Sequence, residues 1–406
     1  MGAPQASIRL LPKAPMTQTI TPTPRLALWI LLLGNFIIGT GVLLPAGLLN
    51  ELVAAFAISP ARAGQLLFAG GLVVGIGAPV LAGLTSRIDR RLLLTLALLI
   101  YAAGHLGSAL ASGFELQILI RAFTVIGAAV FTPQAAATAG LLVPPEKRAG
   151  AIAFIFIGWS AAAVAGIPLG GLLASLFDWR LVYGLMGGLS LLVAVAVWFT
   201  LRPGLFVTPL GLRSWIQALG SPVLLAVFAV TLLSMSGQFT MFGYIAPILK
   251  DGFGATPSHV AAAFAIVGVA GVFGNSLASR VVAQLGITRV IDIALFALCL
   301  GFAGFALAWG HFPLAMVAAS FWGLGSFSSN SLQQSRLVAL APNLAAATVA
   351  LNTSVVYLGQ SLGAVVGGRL VDKGLMAWSP VAALVFLAAA LFMSWLAARL
   401  GGVRSS

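Results

Sequence analysis

Few side chains in this sequence could do acid–base or coordination chemistry. The chain has eight acids, three histidines and one cysteine. His105, His259 and His311 stand in different segments, and none has an acid at metal-ligand spacing. The glycines are spread along the chain rather than gathered in a phosphate-cradling loop. No enzyme chemistry, metal or cofactor is expected from these patterns. Two polar groups stand out because they interrupt apolar runs. Arg121 lies in "LIRAFTVIG", and His105 lies in "YAAGHLGSAL". A cation in such a place needs a partner or a water-filled cavity, and an imidazole there can titrate near neutrality.

The elements that must position these groups follow from composition. The chain is 60% hydrophobic and 7% charged. A water-soluble domain carries about 25% charged residues. Apolar runs of 18 or more residues recur from Leu26 to Leu400, each long enough to cross a bilayer as a helix. They lack the alternation of an outer-membrane strand. The sequence therefore predicts a polytopic all-α membrane protein with the bilayer as its main partner. Its net charge of +13 is dispersed at span ends, which suits lipid headgroups and argues against nucleic acid. Cys299 is single, so no intrachain disulfide forms.

Twelve spans are predicted, at about 26–49, 63–86, 92–111, 116–142, 149–173, 181–201, 223–248, 260–283, 290–309, 313–338, 345–370 and 379–400. Residues 1–24 read as a disordered cytoplasmic tail and 401–406 as a second one. With the N-terminus inside, fifteen Lys and Arg fall on cytoplasmic segments. Five (Arg62, Arg180, Lys250, Arg369 and Lys373) fall outside, and Arg121 is within a span. That asymmetry predicts both termini in the cytoplasm. The longest inter-span segment, 202–222, divides the chain into bundles at 25–201 and 223–400. "GLTSRIDRRLLL" after span two and "SRVVAQLGITRVI" after span eight suggest that the halves are a repeat.

Four segments now carry a resemblance. Residues 82–91 read A-G-L-T-S-R-I-D-R-R, similar to a loop pattern G-x-L-A-D-R-x-G-R-R. Arg121 stands in span four. Span five holds "GWSAAAVAGIPLGGLL", with Gly158, Gly166, Pro168, Gly170 and Gly171. Span seven ends in "YIAP". In this order they resemble the major facilitator superfamily. The similarity is greatest to its twelve-helix drug:H⁺ antiporter family, in the sugar, arabinose and purine-nucleoside efflux-permease-like branch. The resemblance spans residues 25–400.

That resemblance implies two pseudo-symmetric six-helix bundles and a secondary transporter in a bacterial inner membrane, monomeric, working by alternating access. It implies export, proton linkage, and a gating loop (Ser86, Arg87, Asp89, Arg90 and Arg91) that packs near the inner end of span eleven when the transporter is closed to the cytoplasm. The span-five glycines form its antiporter motif. It also implies a cavity between spans one, four, seven and ten. The polar inventory there and on span eleven is Asn35, Thr40, Val42, Arg121, Thr124, Gln134, Gln238, Phe242, Tyr244, Trp322, Asn330, Gln333, Asn352, Tyr357 and Gln360. These groups suit a small polar or amphipathic solute such as a sugar, nucleoside or drug.

One departure bears on mechanism. In the branch pattern an acid follows the Gly-Thr pair of span one. Here Val42 stands there, and every acid in the chain lies in a loop or near a span end. Proton coupling then falls to Arg121 or His105, or the protein is an uncoupled facilitator or an uptake carrier.

Overall fold

The computed structural model describes residues 24–206 and 212–402. The tail readings for residues 1–23 and 403–406 lie outside these residues. All regular structure among the described residues is helical. Lipid offers no partner to peptide groups, so a helix must satisfy its own. In chain order the helices are α1 (Pro24–Gly47), α2 (Leu49–Phe56), α3 (Pro60–Leu84), α4 (Arg90–Leu110), α5 (Phe114–Leu141), α6 (Arg148–Ala161), α7 (Ile167–Leu176) and α8 (Trp179–Thr200). There follow α9 (Leu212–Leu219), α10 (Pro222–Phe242), α11 (Ile245–Phe253), α12 (Pro257–Leu285), α13 (Ile287–Leu307), α14 (Phe312–Leu340), α15 (Ala345–Asp372) and α16 (Ser379–Leu400). A π turn at Ala162–Gly166 joins α6 to α7 into one span.

Eleven of these spans are long and apolar enough to cross a membrane. The twelfth, α14, has 29 residues and carries the Ser, Asn and Gln of "SFSSNSLQQS". Two spans differ from the sequence reading. Span one ends at Gly47, and α2 follows as a separate short helix. Span seven ends at Phe242, and α11 follows in the same way. Apolarity continues through both breaks, so hydropathy alone runs the pieces together. α2 closes on Ala57 and α11 on Gly254, both in the left-handed region.

Helix starts follow ordinary capping chemistry. The Ser59, Asp89, Asp178 and Thr256 side chains each accept a backbone N–H of the first turn. Packing repeats between the two halves. α4 lies on α5 and α8, as α13 lies on α14 and α16; α1 lies on α6, as α10 lies on α15. The halves meet along two seams, α3 with α15 and α12 with α7 and the π turn.

With an even number of spans, Pro24 and Leu400 lie at the same end, here called the near end. At the distal end the two halves touch. There the Ala61 N–H donates to the Asp372 carboxylate at 3.3 Å, and the Ser361 hydroxyl donates to the Phe68 carbonyl at 3.0 Å. A Cβ on Gly71 would come within 2.7 Å of the Tyr357 carbonyl, whereas one on Gly83, toward the near end, would meet nothing within 4 Å. Overpacking a tight contact costs about 1–3 kcal/mol. Gly71→Leu is therefore expected to lower the melting temperature of the purified protein, and Gly83→Leu to leave it unchanged.

Candidate functional site

The centre of the first half is organised by Arg121. α1 contains Pro45, which has no N–H to give to the Gly41 carbonyl four residues back. Arg121 supplies the missing donor. Its Nη1 donates to the Gly41 carbonyl at 2.8 Å and its Nη2 to the Val42 carbonyl at 2.5 Å. At the position where the related pattern has an acid, Arg121 finds a backbone oxygen instead. The guanidinium is 3% exposed and its Nε has no partner. Glu115, the nearest acid in sequence, pairs with Arg62.

His105 lies beside this clamp. Its ring meets Tyr101 edge-on at 4.5 Å and stacks on Tyr183 at 5.6 Å, and neither nitrogen has a hydrogen-bond partner. The Tyr101 hydroxyl donates to the Ile38 carbonyl at 2.9 Å. Thr124 bonds its own helix at the Ile120 carbonyl and packs toward Gly104 of α4, away from the centre.

The glycines of span five face α1. A Cβ on Gly158 would strike the Leu32 carbonyl, one on Gly166 the Thr40 hydroxyl, and one on Gly171 the Gly47 carbonyl. This closeness leaves the Thr40 Oγ1 and Asn35 Oδ1 buried and unpaired; the Asn35 amide nitrogen donates to the Ile155 carbonyl at 3.3 Å. Pro168 cannot donate to the Val164 carbonyl. The helix widens instead, and the Ile167 N–H reaches five residues back to Ala162. That π turn is where span five touches the other half, since Gly268 of α12 rests on Ala163 and Val164.

In the second half the polar groups form a network. Gln238 Oε1 accepts from the Ser326 hydroxyl at 2.7 Å and from Trp322 Nε1 at 3.4 Å. The Thr231 hydroxyl donates to Asn352 Oδ1 at 2.8 Å, and Asn352 Nδ2 donates to Asn330 Oδ1 at 3.3 Å. The Gln333 amide is buried with both atoms unpaired, beside a cavity of about 10 Å³ that it lines with Thr231, Ser329 and Asn330. That volume suits one water. Phe242 and Trp322 pack edge to face at 6.1 Å. Tyr357 of α15 is buried against the apolar core of the first half, and its hydroxyl makes no hydrogen bond among the described residues. Gln360 is half-buried.

Besides Thr124, two residues expected in the cavity lie elsewhere. Gln134 sits toward the near end, where its Oε1 accepts from Arg90 Nη1 at 2.8 Å. Tyr244 belongs to the distal seal, donating to the Ala364 carbonyl at 2.7 Å against Gly64 and Gly368. The gating loop makes different contacts from the expected span-eleven latch. Asp89 caps α4, and its Oδ2 accepts the Gly204 and Leu205 N–H groups at 2.5 and 3.1 Å. Arg90 Nη2 donates to the Ser86 carbonyl, and Arg91 stacks on Trp198 at 4.0 Å. Arg87 is exposed. In this conformation the loop binds the inter-bundle linker through Asp89; the latch near span eleven is expected of the conformation closed to the cytoplasm.

Other polar groups find partners away from Arg121. Asp292 accepts from Ser394 at 2.7 Å, and Arg336 joins the same serine. Pro45 carried a usable signal, since a proline within a span always releases a carbonyl. Glu51 on α2 approaches Lys250 of the other half; burial pushes its carboxyl above the ordinary 4.5, with Lys250 opposing. A raised value favours the buried, distally closed state below about pH 4.5, and that contribution fades as pH rises through the raised value. Maleimide labelling of Ala61→Cys is expected to rise with pH over this range, and Glu51→Gln to flatten the rise.

A second test concerns the clamp. Arg121→Ala strands the Gly41 carbonyl at a cost of about 1–3 kcal/mol. Adding Pro45→Ala supplies an N–H, so the double variant is expected to regain part of that loss in a thermal-denaturation cycle.

Comparison with known proteins agrees with this architecture. The sequence profile of the Major Facilitator Superfamily matches residues 31–364. The inner membrane transport protein YdhP of Escherichia coli (strain K12) is 28% identical over 370 residues, covering 91% of this chain and 95% of that protein. A probable sugar efflux transporter of Helicobacter pylori (strain G27) is 26% identical over 344 residues, covering 84% and 87%. Among solved structures, a D-xylose–proton symporter superposes with a TM-score of 0.75 at 17% identity, covering 91% and 97%. A bacterial homologue of the human lysosomal transporter Spinster, inward-facing and unoccupied, gives 0.74 at 20%, covering 93% and 98%. These two share the fold.

Proposed function

The chain belongs to the Major Facilitator Superfamily and is a multi-pass membrane transporter, and we propose that it exports a small, hydroxyl-bearing solute by alternating access. One observation carries this reading. Buried amides and hydroxyls on α10, α14 and α15 share a network around Gln238 and Asn352, while the Gln333 amide, Thr40 Oγ1 and Asn35 Oδ1 stay unpaired. Buried polar groups normally have partners. A sugar-like solute supplies both donors and acceptors to such groups.

The site we assign comprises Asn35, Thr40, Arg121, Gln238, Trp322, Asn330, Gln333, Asn352 and Tyr357, between bundles at 25–201 and 223–400 joined by 202–222. The excess of Lys and Arg on near-end segments supports a cytoplasmic near end. On that orientation the distal seal closes the outer face, and the solute enters from the cytoplasm. The resemblance of the span-five segment to an antiporter motif, and relatives named as sugar efflux transporters, support the outward direction.

For coupling, the Arg121 clamp favours the second sequence reading over proton antiport. The guanidinium rests on backbone carbonyls, no carboxylate stands beside it to exchange a proton, and His105 is enclosed by aromatic rings. Transport of labelled sugars and nucleosides into inside-out membrane vesicles tests the proposal. Gln238→Ala is expected to lower apparent affinity about tenfold, the equivalent of about 1.4 kcal/mol. An imposed pH gradient is expected to leave accumulation unchanged. Absence of any solute movement above vesicles lacking the protein would remove the reading.

A further inference from the structure

Arg121 is a buried cation without a counter-ion. The ion pair among the described residues is Arg62–Glu115, and it lies at the distal surface. The two carbonyls that hold Arg121 use two of its five N–H donors. They orient the guanidinium but leave its net charge in place. An unneutralised charge at membrane depth is expensive. The titratable groups around it, Tyr101, His105 and Tyr183 of the first half and Tyr357 of the second, include no carboxylate. The free Nε edge faces Gly70 of α3, where a Cβ would lie 3.2 Å from Nε. The smallest residue therefore stands beside the one unused edge of the guanidinium.

We propose that the transported solute is a hydroxylated organic anion, a sugar acid in chemical class, whose carboxylate is taken by Arg121. The proposal rests on the small-solute reading above and names its substrate class. Once α3 moves away from Arg121, a carboxylate can take the Nε–Nη edge in the two-pronged geometry that arginine favours. The hydroxyls of the same molecule then meet the neutral second-half groups Gln238, Asn330, Gln333 and Asn352. A neutral sugar would leave the charge uncompensated, and a cationic drug would be repelled by it. One cation matches one negative charge, so a carboxylate suits the site better than a phosphate dianion.

The same chemistry accounts for Val42. An inside-negative membrane potential expels a monovalent anion by roughly 50-fold in concentration per 100 mV. An exporter of such a solute needs no proton, hence no titrating acid on span one.

The test uses the purified full chain and matched probes: glucuronate against glucose, gluconate against sorbitol, and glucose 6-phosphate. Thermal shift across a concentration series ranks binding. Flux of labelled glucuronate from liposomes under a potassium–valinomycin potential measures electrogenicity. The acids are expected to bind at least tenfold more tightly than their neutral partners, and negative-inside potential to accelerate their exit. Arg121→Gln is expected to weaken the acids at least thirtyfold and neutral sugars less than threefold. Gly70→Ala keeps the charge and narrows the Nε edge. It is expected to weaken the acids while leaving neutral-sugar binding in place, which separates loss of the anion contact from loss of the fold. Equal or tighter binding of neutral sugars, preference for the phosphate, or flux indifferent to potential would overturn the anion assignment while leaving a solute carrier standing. Binding of none of the five probes would remove both readings.

Discussion

A peptide group inside a bilayer has no water to turn to, so every carbonyl that a helix releases must be met by something else in the protein. In this chain the most consequential release is at Gly41, where Pro45 withholds an N–H. The guanidinium of Arg121 answers it from α5 and takes the Val42 carbonyl as well. One pair of hydrogen bonds thus fixes the angle between two central helices of the first half. It also brings a permanent positive charge to the middle of the molecule. Pro168 creates the same problem in span five, and there the helix solves it internally by widening into a π turn. The first solution imports a charge; the second leaves a bulge at the seam with α12.

The seams explain the asymmetry between the two ends. Small residues let α3 and α15 approach so closely that hydrogen bonds form between them in the distal half. Toward the near end this closeness is lost, and the basic loop at Ser86–Arg91 binds the linker through Asp89 instead of the opposite bundle. Charge pairs across the halves are sparse, with Glu51 approaching Lys250 only at the distal surface. Closure on that side therefore depends on van der Waals fit and a few polar contacts. A rocking carrier needs such a seam, one that can separate without stranding buried charges.

The fold was legible because it rests on composition and period. Runs of apolar residues located the spans to within a few residues. The breaks after α1 and α10 were not legible, since apolar residues continue on both sides of each. Within the site, Arg121, Gln238, Asn330, Asn352 and Gln333 could be picked out as polar residues in apolar runs. Gln134 and Tyr244 met the same criterion yet belong to other contacts. Residue type says that a buried polar group must have a partner; it does not say which one.

The sequence by itself determined that the chain spans a membrane as helices, that its halves repeat, and that no acid occupies the middle of a span. These are properties of local composition, and hydration energies impose them whatever the packing. Only the tertiary structure decided that Arg121 holds the backbone of span one rather than a side chain, that His105 is caged between two tyrosines, and that Asp89 faces the linker. Each depends on which helices lie side by side and at what rotation. Hydrogen bonding enforces such choices over a few ångströms, between residues as many as 116 positions apart.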